Sequence, residues 1–465
     1  MSRTVRVSPD PNSLTEGPIA RGIILFALPL LLSSIFQQLY NAIDTAVVGQ
    51  YVGPAALAAV GSTGSLINLL IGFFLGLSTG ASVLFAMHYG AGDYPGLKRI
   101  MDSAAVLTVA AGLFITVVGI VFCRPLLQLM HTPEDVLPLA VTYLQLFFTG
   151  TVATLIYNVG AAIIRAEGDS RRPLIYLVIG GVANLILDLT LVAGFRTGVV
   201  GAAIATVLAQ LLSAVLVVIH LTRMNPAYRL DLRHIRMDRL TTWDLVRISV
   251  PCGLQGSMFS ISNLLVQIEF NSFGTVAMAG VAAYSKIDGF AYIPVNAVGL
   301  ATSTFVGQNV GAGQFRRIQK GLRLGMVLAI GLALSMAVII ACFCKPLLAL
   351  FTDDAASQAV GLQMMVFLIP FAWLLAFMDV LGGAIRGAGQ ATPVTVITAL
   401  CICVFRVIWL LVMLRFINDL RIVFLCYPIS WLLTAVAILI FYYRASTLRR
   451  SIKSELAALP EKAPF

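Results

Sequence analysis

Asp44 ends an apolar run that begins at Ile23, and Gln37, Tyr40 and Asn41 precede it at helical spacing. The four therefore form one polar stripe on a helix whose other faces carry Leu, Ile and Phe. A charge at the centre of a bilayer costs about 2.5–3.5 kcal/mol on insertion scales, so such a residue faces a bundle interior or a water-filled path. The plainer alternative places Asp44 in a loop just past the apolar layer. Farther on, Asn184 and Asp188 are four apart and share a helical face, and Thr206 adds a hydroxyl. With Asp44 they supply two carboxylates, an amide oxygen and a hydroxyl, hard donors that suit a proton or a transient Na⁺. The competing account is that the amide and hydroxyl only tie helices together.

The second half has its own acids, Glu269 and Asp379, the latter preceding Gly382 and Gly383 on its face. Lys286 and Arg406 are intramembrane bases able to neutralise them, and Asp288 stands next to Lys286 as a local partner. Phe36, Tyr40, Phe147, Tyr157, Met258, Phe259 and Tyr284 could line an adaptable apolar cavity in which acids attract cations. With Gln37 and Asn41, residues Tyr40, Tyr157, Met258 and Tyr284 are the candidate substrate contacts. Packing against other helices or lipid is the alternative for most of the aromatic residues.

Other patterns exclude chemistry. Gly76-Leu77-Ser78-Thr79-Gly80 matches a nucleophile elbow but lacks the strand–turn–helix context that motif needs. There is no phosphate-binding loop, HExxH or dinucleotide signature, so neither an enzyme nor a resident cofactor is expected. The seven cysteines lie in or beside apolar runs and imply no disulfide or metal site.

The elements that hold these residues follow from composition. Of 465 residues, 59% are hydrophobic and 11% charged, against about 25% charged in soluble domains. The chain is an all-α polytopic membrane protein, with runs long enough to cross about 30 Å of hydrocarbon as helices. Spans are expected at 23–44, 55–89, 101–122, 136–164, 173–193 and 199–221. After a basic linker at 222–244, six more follow at 245–270, 276–306, 318–343, 359–385, 393–414 and 422–443. Twelve transmembrane helices thus form a first lobe at 23–221 and a second at 245–443, flanked by tails at 1–22 and 444–465.

Of the 31 Lys and Arg, 24 fall in the tails, the even-numbered connectors and the span ends beside them; the odd-numbered connectors hold five. Both termini are therefore expected in the cytoplasm, and the net charge of +10 is a topology signal rather than a nucleic-acid footprint. The first-half spans show no interior Lys or Arg, which argues against a flippase for pyrophosphate-linked lipids.

The halves repeat. Gly90-Ala91-Gly92 returns as Gly311-Ala312-Gly313, Cys123-Arg124-Pro125 as Cys344-Lys345-Pro346, and Ile164-Arg165 with Gly168 as Ile385-Arg386 with Gly389, all 221 positions apart. Pro29 and Pro251 mark the two starts, one further residue apart. Six spans per half make parallel six-helix repeats, with the natural site between or within the bundles.

Four stretches in order, YNAIDTAVVGQYVGPAALAAVG from Tyr40, HYGAGD from His88, IIRAEGD from Ile163 and STFVGQNVGAG from Ser303, resemble the multidrug and toxic compound extrusion (MATE) family of secondary transporters. That resemblance implies two six-helix lobes around a cavity of alternating access. It implies roles for Asp44 as the first-helix acid and for Pro29 as the proline that bends that helix. Asn184, Asp188 and Thr206 look like the polar cluster that a DinF-like branch uses for cation coupling. Glu269 and Asp379 look like the second-lobe acids of a NorM-like branch, which leaves H⁺ against Na⁺ open. The expectation is a monomeric antiporter of the cytoplasmic (inner) membrane that exports small organic, cationic or amphipathic compounds against H⁺ or Na⁺. Its alternatives are an exporter or flippase of a lipid-linked or polar metabolite, and a channel.

Overall fold

A computed structural model describes residues 14–129, 133–134 and 136–457; the outer parts of both tails, 1–13 and 458–465, and His131 lie outside the described residues. Every regular element among them is helical. The first half contains α1 (Ile19–Tyr51), α2 (Pro54–Ala91), α3 (Tyr94–Leu129), α4 (Leu137–Thr149), α5 (Thr151–Glu167), α6 (Arg171–Asp188) and α7 (Gly198–Arg223). The second contains α8 (Arg239–Ser272), α9 (Thr275–Gly311), α10 (Phe315–Cys342), a short α11 (Cys344–Ala349), α12 (Ala355–Leu368), α13 (Ala372–Gly387), α14 (Ala391–Thr398), α15 (Phe405–Phe416) and α16 (Leu420–Arg444). A terminal helix, α17 (Thr447–Ala457), follows.

Ten helical stretches among the described residues are long and apolar enough to cross a membrane, and eleven if the bent pair α4–α5 counts as one. That pair replaces a straight span over 136–164: the chain turns by 47° between Thr149 and Thr151. Gly150 lets the turn lie close to α7, where a Cβ would stand 2.9 Å from Val207. The expected span at 245–270 is the helix α8, which is absent from the ten. Ser249, Gln255, Ser260 and Asn263 make it too polar for a hydropathy criterion. Its place is nonetheless alongside a membrane-length helix, because its backbone packs on α2 at Gly72·Gly256, Gly76·Cys252 and Gly80·Ser249. Small residues allow such close backbone approach where lipid supplies no hydrophobic drive.

α1 belongs to both halves. Its first turns bury Ile23, Phe26, Ala27 and Leu30 in the large second-half core with Val298, Phe305 and Phe424. Its last turns pack Val47 and Val48 with Tyr143, Val192 and Val199 of the first half. The helix thus crosses the space between the halves and carries Asp44 into the first. Pro29 lies buried within it, and the Ser33 hydroxyl donates to the Pro29 carbonyl at 2.8 Å.

The halves close on each other at the end that carries the termini. A Cβ on Gly90 would fall on the Gln308 carbonyl, and one on Gly311 would fall on the Met87 carbonyl. These are one contact repeated by the internal two-fold, since each pair of positions is related by the 221-residue offset. Gln308 and Asn309, both fully buried, latch the closure. Gln308 Oε1 accepts from the Leu14 backbone N–H at 2.9 Å, and its Nε2 donates to the Ala166 carbonyl of α5 at 2.7 Å. Asn309 Nδ2 and the Arg317 guanidinium both donate to the Leu14 carbonyl.

Gln308→Ala would orphan the Leu14 N–H and the Ala166 carbonyl, at about 1–3 kcal/mol for each buried group. The expected result is a lower unfolding temperature in detergent; an unchanged temperature would show that the latch carries no stability.

Candidate functional site

α1, α4, α6 and α7 converge on a buried cluster in the first half. Asp188 is the last residue of α6 and is followed directly by a π-helical stretch, Leu189–Gly194. Asn184 and Asp188 are each 1% exposed. With the Asn184 amide oriented to satisfy both partners, its nitrogen donates to Asp188 Oδ2 at 2.8 Å and its oxygen accepts from the Thr206 N–H at 3.1 Å. The Thr206 hydroxyl donates to the Ala202 carbonyl at 3.0 Å and also meets the Tyr40 hydroxyl.

The carboxyl groups of Asp44 and Asp188 are near neighbours in this cluster. Two neighbouring carboxylates repel each other unless a proton or a cation intervenes. The Oδ1 atoms of both residues are buried and have no partner. Buried acceptors are almost always satisfied, so two orphan carboxyl oxygens beside an amide and a phenol leave this cluster with open acceptor positions.

Tyr143, 4% exposed, packs with Val47 and Val48 of α1 next to the cluster. Spacing gives no hint of its role, because it sits alone in an apolar run on α4. The usable signal is chemical: a tyrosine buried in such a run needs a polar partner for its hydroxyl.

A second feature is a cavity of about 450 Å³ between the halves, within the usual range for small-molecule sites. Gln37, Tyr157 and Asp379 line it, together with Phe26, Phe259 and Gln255. The Tyr157 hydroxyl donates to the Pro173 carbonyl at 3.2 Å. Asp379 accepts from the Tyr292 hydroxyl.

Other expected positions lie elsewhere. Tyr40 belongs to the Asp44 cluster, and Asn41 is exposed on α1. Met258 is half-buried outside the cavity lining, and Tyr284 is buried in the second-half core. Glu269 sits in the last turn of α8, apart from Asp379, so these acids do not form one site. Lys286 is exposed, and the partner of Asp288 is the Tyr284 hydroxyl at 3.1 Å, one helical turn back on α9. Arg406 neutralises no acid among the described residues. It is held by Ser430 Oγ at 3.0 Å, Asn263 Oδ1 at 3.2 Å and the face of Tyr427 at 4.3 Å.

One expectation is overturned. The first half does present a basic residue to the interior, because Arg165 stands in the last turn of α5 and lines the central cavity. Its position at a span end made it resemble a connector charge.

Known proteins share this architecture. The chain is 27% identical to a probable multidrug resistance protein, YoeA, of Bacillus subtilis, over 82% of this chain and 84% of that one. It is 26% identical to an FAD transporter of Shewanella oneidensis, over 96% and 99%. A crystal structure of a MATE protein in the bent conformation shares its fold with a TM-score of 0.87 at 22% identity, over 96% of this chain and 99% of that one. The MatE family model matches twice, at residues 29–190 and 251–412, one match in each repeat. A duplicated helical frame with that model on both copies makes this chain a member of the MatE family, the MATE multidrug efflux transporters.

Proposed function

We propose that the protein is an antiporter that exports amphipathic organic compounds in exchange for H⁺ or Na⁺ bound at the Asp44–Asp188 pair. The observation that carries this reading is the pair of orphan carboxyl oxygens, which a proton or cation would satisfy. The basic tails and even-numbered connectors support cytoplasmic termini. The latched end would then be the cytoplasmic one, and the cavity would face outward. Ion entry into the first-half cluster neutralises a buried charge pair and rearranges α1, which also forms one wall of the cavity. One chain holds both features, so the transport unit is taken as a monomer in the bilayer, with no cofactor, no catalytic step and no nucleic acid.

The test is export from vesicles under Na⁺ and pH gradients imposed separately. Export driven by one gradient and indifferent to the other identifies the ion; export indifferent to both, or saturation-free conductance, sinks the antiport reading. Asn184→Ala should then lower the ion concentration for half-maximal export about tenfold, since it removes a hydrogen bond that stabilises the ion-free Asp188 carboxylate, worth roughly 1.5–3 kcal/mol. The rate at saturating ion should stay near the parent's. An unchanged ion dependence would reduce Asn184 to a helix tie.

A second reading, export of a polar metabolite, is favoured by the cavity's arginines. It is also compatible with a relative named for FAD transport that matches almost the whole chain.

A further inference from the structure

The charged residues lining the central cavity are Arg165, Arg386 and Asp379, so the cavity holds an excess of positive charge. The two arginines are repeats of each other. Each stands in the last turn of its helix, α5 or α13, three residues before a glycine in left-handed conformation, Gly168 at φ 115° and Gly389 at φ 82°. The internal two-fold therefore places one guanidinium on each side of the cavity. Arg165 lies directly before Ala166, whose carbonyl receives the Gln308 latch, so the pair stands at the latched floor.

Neither guanidinium has a carboxylate within 4.0 Å among the described residues; the ion pairs there involve other residues. Asp379 is engaged with the Tyr292 hydroxyl instead. The buried polar atoms that lack partners are likewise elsewhere, so the guanidinium nitrogens open onto the cavity. A basic side chain in a last turn favours the helix dipole. That role needs no cavity and no second copy facing the first. Above the pair the walls are apolar at Phe26, Leu30 and Phe259 and polar at Gln255, Asn296 and Asn158.

We propose that this floor recognises the anionic group of an amphipathic substrate, a carboxylate or a phosphate, held between Arg165 and Arg386 while its apolar body lies against Phe26, Leu30 and Phe259. The guanidinium fork matches the two oxygens of such groups, and a pair of forks from opposite lobes holds one anion across the two-fold. Asp379 sets the limit by disfavouring groups of higher charge that crowd Arg386. This inference rests on the export reading above and names its substrate class. It also reverses the electrical consequence of exchange: an anion leaving and a cation entering move charge in the same sense, so the membrane potential drives both.

The test is binding to the purified full-length protein in detergent, read by fluorescence anisotropy with a carboxylated fluorescein and a cationic rhodamine of similar size. The fluorescein should bind at least tenfold tighter than the rhodamine. Arg165→Gln and Arg386→Gln should each weaken it about tenfold and the double variant about a hundredfold. Arg165→Lys, which keeps the charge but loses the fork, should bind between the parent and Arg165→Gln, and Asp379→Asn should tighten binding. Tighter binding of the rhodamine by the parent protein, or unchanged fluorescein binding by the double variant, overturns the proposal. The lysine and Asp379→Asn variants, checked by thermal unfolding in the same preparation, keep the comparison decisive if a glutamine variant fails to fold. Failure of the antiport reading would show separately, as fluorescein export from vesicles that ignores ion gradients while the binding order persists.

Discussion

Asp44→Asn should abolish gradient-driven export while leaving the protein folded and inserted. Asparagine keeps the size of aspartate and can hydrogen-bond Asp188, so the convergence of α1, α6 and α7 survives. What it removes is one of the two titratable carboxyl groups of a close pair. With one acid replaced by a neutral amide, the cluster no longer offers two carboxyl groups to a proton or a cation. Each charge that moves through 100 mV contributes about 2.3 kcal/mol, enough for roughly a fifty-fold gradient. Loss of the coupled ion should therefore drop the steady-state ratio of exported compound toward unity. Asp188→Asn should act the same way, and the double variant should be no worse than either single one, because the two carboxyls act as a unit. The measurement is accumulation in vesicles at matched expression; full gradient-driven export by Asp44→Asn removes the pair from the mechanism.

Asp44, Asn184, Asp188 and Thr206 are legible in the sequence because a polar residue in an apolar helix is costly and therefore informative. Three separate helices bring them together, α1, α6 and α7, as such a cost requires. The same logic fails for residues whose cost depends on neighbours from distant segments. Arg165 lies at a span end, where a basic residue ordinarily meets water or headgroups, and only the tertiary fold turns it into the cavity. Lys286 is nearer to Asp288 in sequence than Tyr284 is, yet two residues apart on a helix point in different directions while four apart share a face. The Tyr284 hydroxyl is accordingly the partner. Glu269 and Asp379 are both acids in apolar runs, but nothing local says that one ends a helix and the other lines a cavity. α8 shows the converse: the polar residues that weaken its hydropathy, such as Ser249 and Gln255, meet α2 and the cavity. Gln308 and Asn309 were visible only as part of a motif, since their partners, Leu14 and Ala166, lie 294 and 142 residues away.

The two-fold repeat makes a prediction about gating that single residues do not. Because Gly90 meets the Gln308 carbonyl and Gly311 meets the Met87 carbonyl, α2 and α9 cross at a point near the axis relating the halves. Both sides of that crossing are backbone, which has no rotamer by which to yield. Leucine at either glycine must separate the helices, and overpacking of this kind costs about 1–3 kcal/mol per site. Moving a two-state equilibrium from 1:99 to 99:1 takes about 5.5 kcal/mol. Gly90→Leu or Gly311→Leu alone should therefore give a mixture, and the pair together should largely empty the latched conformation. Spin labels at Arg99 and Lys320, exposed positions on α3 and α10 related by the same 221-residue offset, report the separation of the halves at this end. A longer distance population should appear in each single variant and dominate in the double one, and export should fall because the cycle no longer returns through the latched state. An unshifted distance distribution in the double variant would mean that the helices absorb the added bulk by sliding along each other, and the crossing would then be packing rather than a gate.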